Sequence, residues 1–256
     1  AYALYDQING VEKFKAPEST PSFRVDGGMQ KIIEKLKEKL NSNVSIKLEE
    51  VVEKIEYKNQ EVYIYTNKEK YTSSKLVFTI PPRLISQNIE FIPQLENSIK
   101  EKLQNIATWM AHSSKAVITF KKDFYKEKGL SGFAFSNIGP LIEIHDASTK
   151  DISALIGFFH SRTSMQKTDI KKQLERLFGD DASKYLKDIH IKDWREEEFT
   201  ATKKDLDIQD RYFSYGYDLS LYDKKVYFAG TEASFENGGY LEGALLSAIK
   251  ISKELL

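Results

Sequence analysis

The chain contains no cysteine. That excludes disulfides, thiolate metal sites, a cysteine nucleophile and any thioether bond to a prosthetic group. It fits a reducing compartment, and a cytoplasmic protein is the expectation. No apolar run approaches the roughly 18–20 residues that a membrane-spanning helix needs, so no membrane partner is expected. Nor is there an excess of either charge: Lys plus Arg and Asp plus Glu each number 38. A nucleic acid or an anionic membrane would call for a basic surplus, so neither is expected as a partner. The lysines between Lys31 and Lys39 are interleaved with glutamate and read as a solvated helix face. The four histidines show no ligand spacing, so no metal site is expected. The opening Ala1-Tyr2-Ala3-Leu4-Tyr5 lacks the basic flank and apolar core of a signal peptide. Also missing is any Gly-x-Gly-x-x-Gly after a strand.

What is present describes a globular protein: 256 residues, 41% hydrophobic and 30% charged. That length suits one large domain or two small ones. Asp26-Gly27-Gly28 opens a helix whose apolar stripe is Met29, Ile32, Ile33, Leu36 and Leu40. Strands are expected at Val44–Leu48, Val51–Tyr57, Val62–Thr66 and Leu76–Ile80, the last ended by Pro81-Pro82, which cannot donate to a ladder. Residues 96–106 predict a helix. Lys115–Phe120 alternates as a strand, with Ala116, Ile118 and Phe120 on one face. Further strands are expected at Gly132–Ser136, Leu141–His145, Ala154–Phe159 and Val226–Ala229. Helices are expected at 167–178 and Gly239–Leu255. The fold class is α/β, or mixed α+β, with an antiparallel or mixed sheet in the middle.

The most chemically pointed segment lies near the C-terminus. Val226-Tyr-Phe-Ala-Gly-Thr-Glu232 is a buried strand followed by an acidic turn, and Gly238-Gly239-Tyr240-Leu241-Glu242-Gly243 is a glycine-rich helix start. A helix N-terminus presents unpaired N–H groups and a positive dipole end. It suits a pyrophosphate, a ribityl chain or the electron-rich end of a reduced flavin. The competing reading is a tight strand–helix turn whose glycines serve close packing alone.

This segment resembles the C-terminal flavin motif of the flavin-containing monoamine oxidase family, which includes polyamine and L-amino-acid oxidases. Further segments are similar to that family in the same order: Asp26-Gly27-Gly28-Met29, Glu50-Val51-Val52, Leu76-Val-Phe-Thr-Ile-Pro-Pro82, Thr108-Trp109-Met110-Ala111-His112-Ser113-Ser114-Lys115 and Asp193-Trp194-Arg195-Glu196-Glu197. The resemblance runs from about residue 21 to 256. It implies a split architecture: residues 22–90 and 196–256 in a partial, Rossmann-like FAD-binding domain, and residues 91–195 in a substrate domain with a mixed β-sheet and flanking helices. It implies that Lys115 holds a water beside flavin N5, that Tyr240 is one wall of an aromatic cage, and that Glu232 bonds ribityl or ribose hydroxyls. It also implies that Leu241 with Gly239 meets the flavin ring, that Val52 contacts adenine through its main chain, and that Trp194 supports the cavity. Taken alone, Lys115 reads as a surface charge, and the alternative for Tyr240 is a core tyrosine.

Two departures stand out. Phe199-Thr200-Ala201-Thr202-Lys203-Lys204 holds no cysteine where the covalent members carry one, so FAD would be noncovalent. The second cage tyrosine has no clear counterpart; Lys204 occupies the simplest alignment, with Tyr212, Phe213, Tyr215 and Tyr217 beyond. The matches begin inside the family's pattern, which implies a C-terminal part that lacks the pyrophosphate loop, inactive alone and weak toward FAD. Its missing half, or a second copy of the chain, would cover exposed apolar surface. The expected substrate is a small amine, oxidised to imine or aldehyde with oxygen as acceptor. The alternatives are a desaturase-like or porphyrinogen-oxidase-like relative, or a degenerate module without FAD. Finally, Glu143-Ile-His145-Asp146 is not a catalytic dyad, because adjacent strand residues face opposite ways.

Overall fold

The computed structural model describes residues 25–160, 165–206 and 215–255. Three small sheets organise them. The first takes β1 (Val52–Lys58), β2 (Glu61–Thr66), β3 (Lys70–Ser73) and, further along the chain, β5 (Glu90–Ile92), in the order β3-β2-β1-β5. Its hairpin neighbours are antiparallel, and β5 returns parallel to β1. The second contains β4 (Leu76–Phe78), β11 (Ser220–Leu221) and β12 (Val226–Phe228), with β12 in the middle and parallel to β4. The third is five-stranded: β6 (Ser114–Phe120), β7 (Ala134–Phe135), β8 (Leu141–Asp146), β9 (Ser153–Phe159) and β10 (Leu186–Asp193), in the order β10-β6-β9-β8-β7. Every pair in it is antiparallel, and parallel pairing occurs only in the other two sheets.

Helix α1 (Gln30–Glu38) precedes the sheets; α2 (Pro82–Asn88) and α3 (Asn97–Asn105) follow β4 and β5. The short α4 (Phe124–Glu127), then α5 (Lys167–Phe178) and α6 (Asp181–Lys184), accompany the five-stranded sheet. The short α7 (Lys203–Leu206) leads back, and α8 (Leu241–Leu255) closes the described chain. Pro81-Pro82 ends β4 as expected and also starts α2, because a proline at the first helical position sacrifices no hydrogen bond.

Two buried clusters hold these elements. One comes wholly from residues 116–191. The alternation of β6 sends Ala116, Ile118 and Phe120 inward, where they meet Leu141, Ile144, Leu155 and the α5 residues Ile170, Leu174 and Leu177. Gln173 locks the helix to the sheet: its amide accepts from the Leu141 N–H (2.8 Å) and donates to the Leu141 carbonyl (2.7 Å). The other cluster joins distant parts of the chain, with Ile55, Val62, Phe78, Phe91 and Leu103 against Tyr217, Leu221, Val226 and Phe228. Each fully buried Ile, Leu or Phe contributes roughly 1.5–3 kcal/mol.

One expected strand does not form. Residues 44–48 carry no strand pairing, and Val44, Ile46 and Leu48 are exposed. Their alternation suits a strand, but no described strand pairs with them. Helix α1 forms where its stripe predicts, yet none of its residues is buried.

Candidate functional site

The parallel strands β4 and β12 end side by side, and their carboxyl ends are where an open α/β sheet binds ligands. After β12 the chain turns through Gly230, at φ +102°, into a short 3-10 turn at Thr231–Ala233 that carries Glu232. A side chain at position 230 would meet the Thr79 carbonyl oxygen at 3.2 Å and Glu232 Oε2 at 3.6 Å, so glycine keeps the strand ends open. Glu232 is buried at 5% exposure. Burial pushes its carboxyl above the usual range; its own backbone N–H opposes that, and Asp205 adds to it. Among the described residues no other side chain donates to it. The segment 215–217 lies alongside, through Gly216 N–H to Glu232 O (3.0 Å) and Tyr217 N–H to Ala233 O (3.4 Å). The Tyr217 hydroxyl is buried and has no hydrogen-bond partner among the described residues. A buried carboxyl and a buried hydroxyl left without side-chain partners beside a glycine-lined cradle fit a polyhydroxyl chain or sugar, which both donates and accepts.

The second part of the site is the start of α8. Tyr240 N–H bonds Asn237 O (3.2 Å), and Ala244 N–H bonds Tyr240 O (3.2 Å) as the first helical bond. The N–H groups of Leu241, Glu242 and Gly243 therefore precede the first intrahelical acceptor and point out of the first turn. Thr231 Oγ1 also donates to Tyr240 O (2.8 Å), tying the acidic turn to the helix start. A Cβ at Gly243 would lie 2.3 Å from the Asn237 carbonyl oxygen, so this turn closes only with glycine there. Gly239, at φ +87°, packs under the Trp109 indole, whose ring carbons lie 3.0 Å from where a Cβ would be. Tyr240 and Trp109 face each other with ring centroids 6.0 Å apart at 39°. Tyr240 is 62% exposed, so it is not part of a core formed by the described residues.

The third part is the start of β6. Lys115 is half-buried opposite Phe158 and Lys192, and its ammonium lies 5.9 Å from the Trp194 ring. Trp194 opens a 3-10 turn after β10, and its N–H bonds Ser113 O (3.2 Å). Asp193 fixes the same junction, accepting from Ser114 Oγ (2.8 Å) and from the Arg195 guanidinium, which holds its carboxyl below the ordinary range. The structure thus joins Lys115 with Trp194, and Gly239 with Tyr240 and Leu241 beside Glu232. Val52 stands apart in β1, paired with Thr66 and packed against the Ile55 cluster.

Of the residues weighed for the second aromatic wall, Lys204 donates to Asn105 Oδ1 (2.8 Å). Tyr217 is buried at 7% exposure. Tyr215 lies behind Gly238, its Cβ 2.4 Å from where a glycine substituent would go. Tyr212 and Phe213 fall outside the described residues. The residue that meets Tyr240 is Trp109, in a segment the sequence singled out only for its lysine. Nothing in local spacing pairs positions 109 and 240; the nearest signal was Gly239, a gap beside an aromatic.

Arg83, Asp205 and Thr202 were also missed. Asp205 is fully buried and accepts from the Arg83 guanidinium, Thr108 N–H (3.1 Å), Thr202 N–H (2.9 Å) and Thr202 Oγ1 (2.7 Å). Arg83 donates further to Gln104 O (2.9 Å). The rejected dyad behaves as expected: His145 bonds Glu143 (2.6 Å), two residues away on the same face, and Asp146 turns to the Tyr125 hydroxyl (2.7 Å).

Parallel strand ends, an acidic turn and a glycine-started helix thus meet at one small mixed sheet, and the antiparallel five-stranded sheet is inserted between its strands β4 and β12. The family of flavin-containing amine oxidoreductases matches residues 3–256, and the chain belongs to it. A flavin-containing amine oxidase of Oncorhynchus mykiss is 26% identical over 251 residues, covering 90% of this chain and 46% of the relative. Amine oxidase B of Sus scrofa is 26% identical over 250 residues with the same coverage. The chain thus spans about half the length of these relatives. Putrescine oxidase bound to putrescine shares the fold at a TM-score of 0.72, with 20% identity over 90% of this chain and 53% of that one. Cyclohexylamine oxidase from Brevibacterium oxydans does so at 0.62, with 22% identity, 80% and 48% coverage. No helix among the described residues is long and apolar enough to cross a membrane, and no group of three or more His, Asp or Glu residues there could hold a metal ion.

Proposed function

We propose that the protein carrying this chain is an FAD-dependent oxidase of small amines, with FAD held noncovalently in a cytoplasmic enzyme. The observation that carries the reading is the cradle at the ends of β4 and β12, where Glu232 and the Tyr217 hydroxyl are buried without side-chain partners, joined through Thr231 to the N-terminus of α8. Glu232 would bond ribityl or ribose hydroxyls, and the Leu241 N–H beside Gly239 would meet the polar edge of the flavin ring. Val52 would contact the adenine end. Bound flavin supplies the two-electron acceptor for the C–H bond beside the amine nitrogen, with dioxygen the final acceptor. Lys115 holds a water at the reacting face, Trp194 backs it, and Tyr240 orients the incoming amine. No protein base is required, which agrees with the structural roles found for His145 and Asp146.

The proposed division is that of 22–90 with 196–256, and 91–195, but with the first boundary drawn at about residue 106. Phe91, Ile99, Leu103 and Ile106 pack with Ile55 rather than with the five-stranded sheet. The half of its relatives' length that this chain does not span is proposed to supply the pyrophosphate loop, since the sequence has no Gly-x-Gly-x-x-Gly. It would also cover the α1 stripe and Leu245 and Ile249 of α8, all exposed here, and flank β4, an edge strand among the described residues.

The test is a purified protein in which these residues are joined to the proposed pyrophosphate-loop half, assayed for flavin absorbance and for amine-dependent peroxide. A protein that stays colourless at saturating FAD and forms no peroxide with any amine sinks the reading. The 256 residues alone are expected to bind FAD with micromolar or weaker affinity, at least about 4 kcal/mol short of a nanomolar flavoprotein. Tight stoichiometric uptake in a titration would overturn that expectation.

A further inference from the structure

A cavity of about 230 Å³ opens where β6 begins, on the far side of the five-stranded sheet from Lys115. The alternation of β6 fixes the side. Ser114, on the cavity lining, shares a face with Ala116 and Ile118, toward α5, while Lys115 points the other way. Phe159, also on the lining, packs against that same buried cluster. The cavity is therefore separate from the amine site proposed around Lys115. Part of its lining is polar. Arg195 is clamped on Asp193, with Nε and Nη2 donating to the two carboxylate oxygens (2.8 and 2.6 Å), and Asp193 also accepts from Ser114 Oγ. The clamp fixes the guanidinium plane and leaves Nη1 with no acceptor among the described residues. His112 lines the same cavity, and its Nδ1 is buried without a hydrogen-bond partner among the described residues. Buried polar atoms are seldom left so. The rest of the lining includes the apolar Ile142, Phe159 and Met165, and no Asp or Glu.

We propose that this cavity binds a short aliphatic monocarboxylate, its head group taken by Arg195 Nη1 and the His112 imidazole and its alkyl chain by Ile142, Phe159 and Met165. Both polar groups can donate, and a carboxylate only accepts. A guanidinium already held by one carboxylate loses little freedom on meeting a second. The volume is smaller than the roughly 300–1,000 Å³ of pockets for larger ligands, so the chain has only a few carbons. Charge adds a further demand. Arg195 and Asp193 offset one another, so a bound carboxylate favours a proton on His112. Burial lowers the pKa of that imidazole, and Asp205 opposes the shift. His160 is the other titratable imidazole on the lining. Binding should therefore tighten as the pH falls.

The chain has four histidines, so ring-labelled histidine gives a short set of carbon–proton NMR signals, with His112 assigned as the one lost in His112→Asn. In protein that joins these residues to the proposed pyrophosphate-loop half, titration with n-butyrate is expected to shift the His112 signal saturably. Butanamide, the neutral isostere, should bind at least about tenfold more weakly. Ile142→Glu places a carboxylate at a lining position that is 37% exposed, and it should abolish the shift without disturbing the buried cluster. Arg195→Lys keeps the charge but loses the fork, and should weaken binding about tenfold. Affinity at pH 6 should exceed that at pH 8. No saturable shift, an equal response to butanamide, unaltered binding in either variant, or tighter binding at the higher pH overturns the proposal. None of these readouts needs flavin or amine turnover, so the carboxylate site stands or falls apart from the oxidase reading.

Discussion

Two carboxyls in this chain respond to burial with opposite outcomes, and their neighbours decide which. Burial pushes Asp146 upward, but the Tyr125 hydroxyl, the N–H and hydroxyl of Ser148, and Lys126 outweigh it and hold it at about 2. A depressed acid stabilises the fold above its unfolded pKa and loses that contribution as the pH falls. Stability should therefore decline from about pH 4 toward pH 2, and Tyr125→Phe should flatten the decline in thermal melts across that range. Glu232 has no such company, so its folded pKa is raised. A raised acid contributes stability at low pH and costs stability once the pH passes its folded pKa. Glu232→Gln should therefore melt higher at pH 8, by on the order of 1 kcal/mol as for other relieved functional strains, and show no gain at pH 4. The same variant should bind FAD more weakly in the flavin-loaded protein. A gain at low pH instead would sink this account. Glu232 was legible in the sequence because an acid beside glycines after a buried strand is unusual. Its want of partners was not, because that depends on Tyr217 and Asp205 brought in by the fold.

Among elements, those whose partners lie nearby in sequence, or whose pattern is strong, were legible: α5, α8, β6, β9 and the β1–β2 hairpin follow from periodicity. Those that depend on a distant partner were not. Strand β10 reads Leu-Lys-Asp-Ile-His-Ile-Lys-Asp, a charged edge that exists because β6 pairs with it. Residues 44–48 show the converse, an alternating pattern with no described strand to pair. Helix α8 shows both sides. Ile251 and Leu255 pack on Tyr227 and Val77, while Leu241, Leu245 and Ile249 form a second apolar stripe on the exposed side. A helix apolar on two faces is built to be covered on both. Leu245→Lys with Ile249→Lys should lower binding of a hydrophobic dye by the isolated chain without lowering its melting temperature; a loss of several degrees would mean that the stripe is already packed. Gly243 tests the first turn. Alanine would gain about 1 kcal/mol of helix propensity, but its methyl meets a backbone carbonyl oxygen at 2.3 Å that no rotamer change can move. Overpacking of this kind costs about 1–3 kcal/mol, so Gly243→Ala should melt lower; a higher midpoint would refute the contact.

At the scale of the molecule, the buried ion pair between Arg83 and Asp205 links residues that no local pattern could have joined. Its members are unequally dependent. Asp205 has Arg83 and three further donors, from Thr108 and Thr202, whereas Arg83 keeps the Gln104 carbonyl if its partner goes. Asp205→Ala strands a buried guanidinium and two N–H groups and should cost about 3–5 kcal/mol. Arg83→Met leaves the carboxylate with its other donors and should cost less, about 1–3 kcal/mol. Urea midpoints that reverse this order would show that the pair is not organised as described.

The two threonines on that carboxylate give it one more meaning. Thr108 stands where the chain leaves for the five-stranded sheet, and Thr202 where it comes back. Both give their N–H to the same side chain, one to each oxygen. Everything between them, including a hydrophobic cluster drawn wholly from residues 116–191, hangs from a neck closed by a single aspartate. Such a neck predicts that the intervening stretch can be exchanged as a unit. A different sheet with a different cavity wall could be spliced in at the two threonines, and the ends would still meet at the same point.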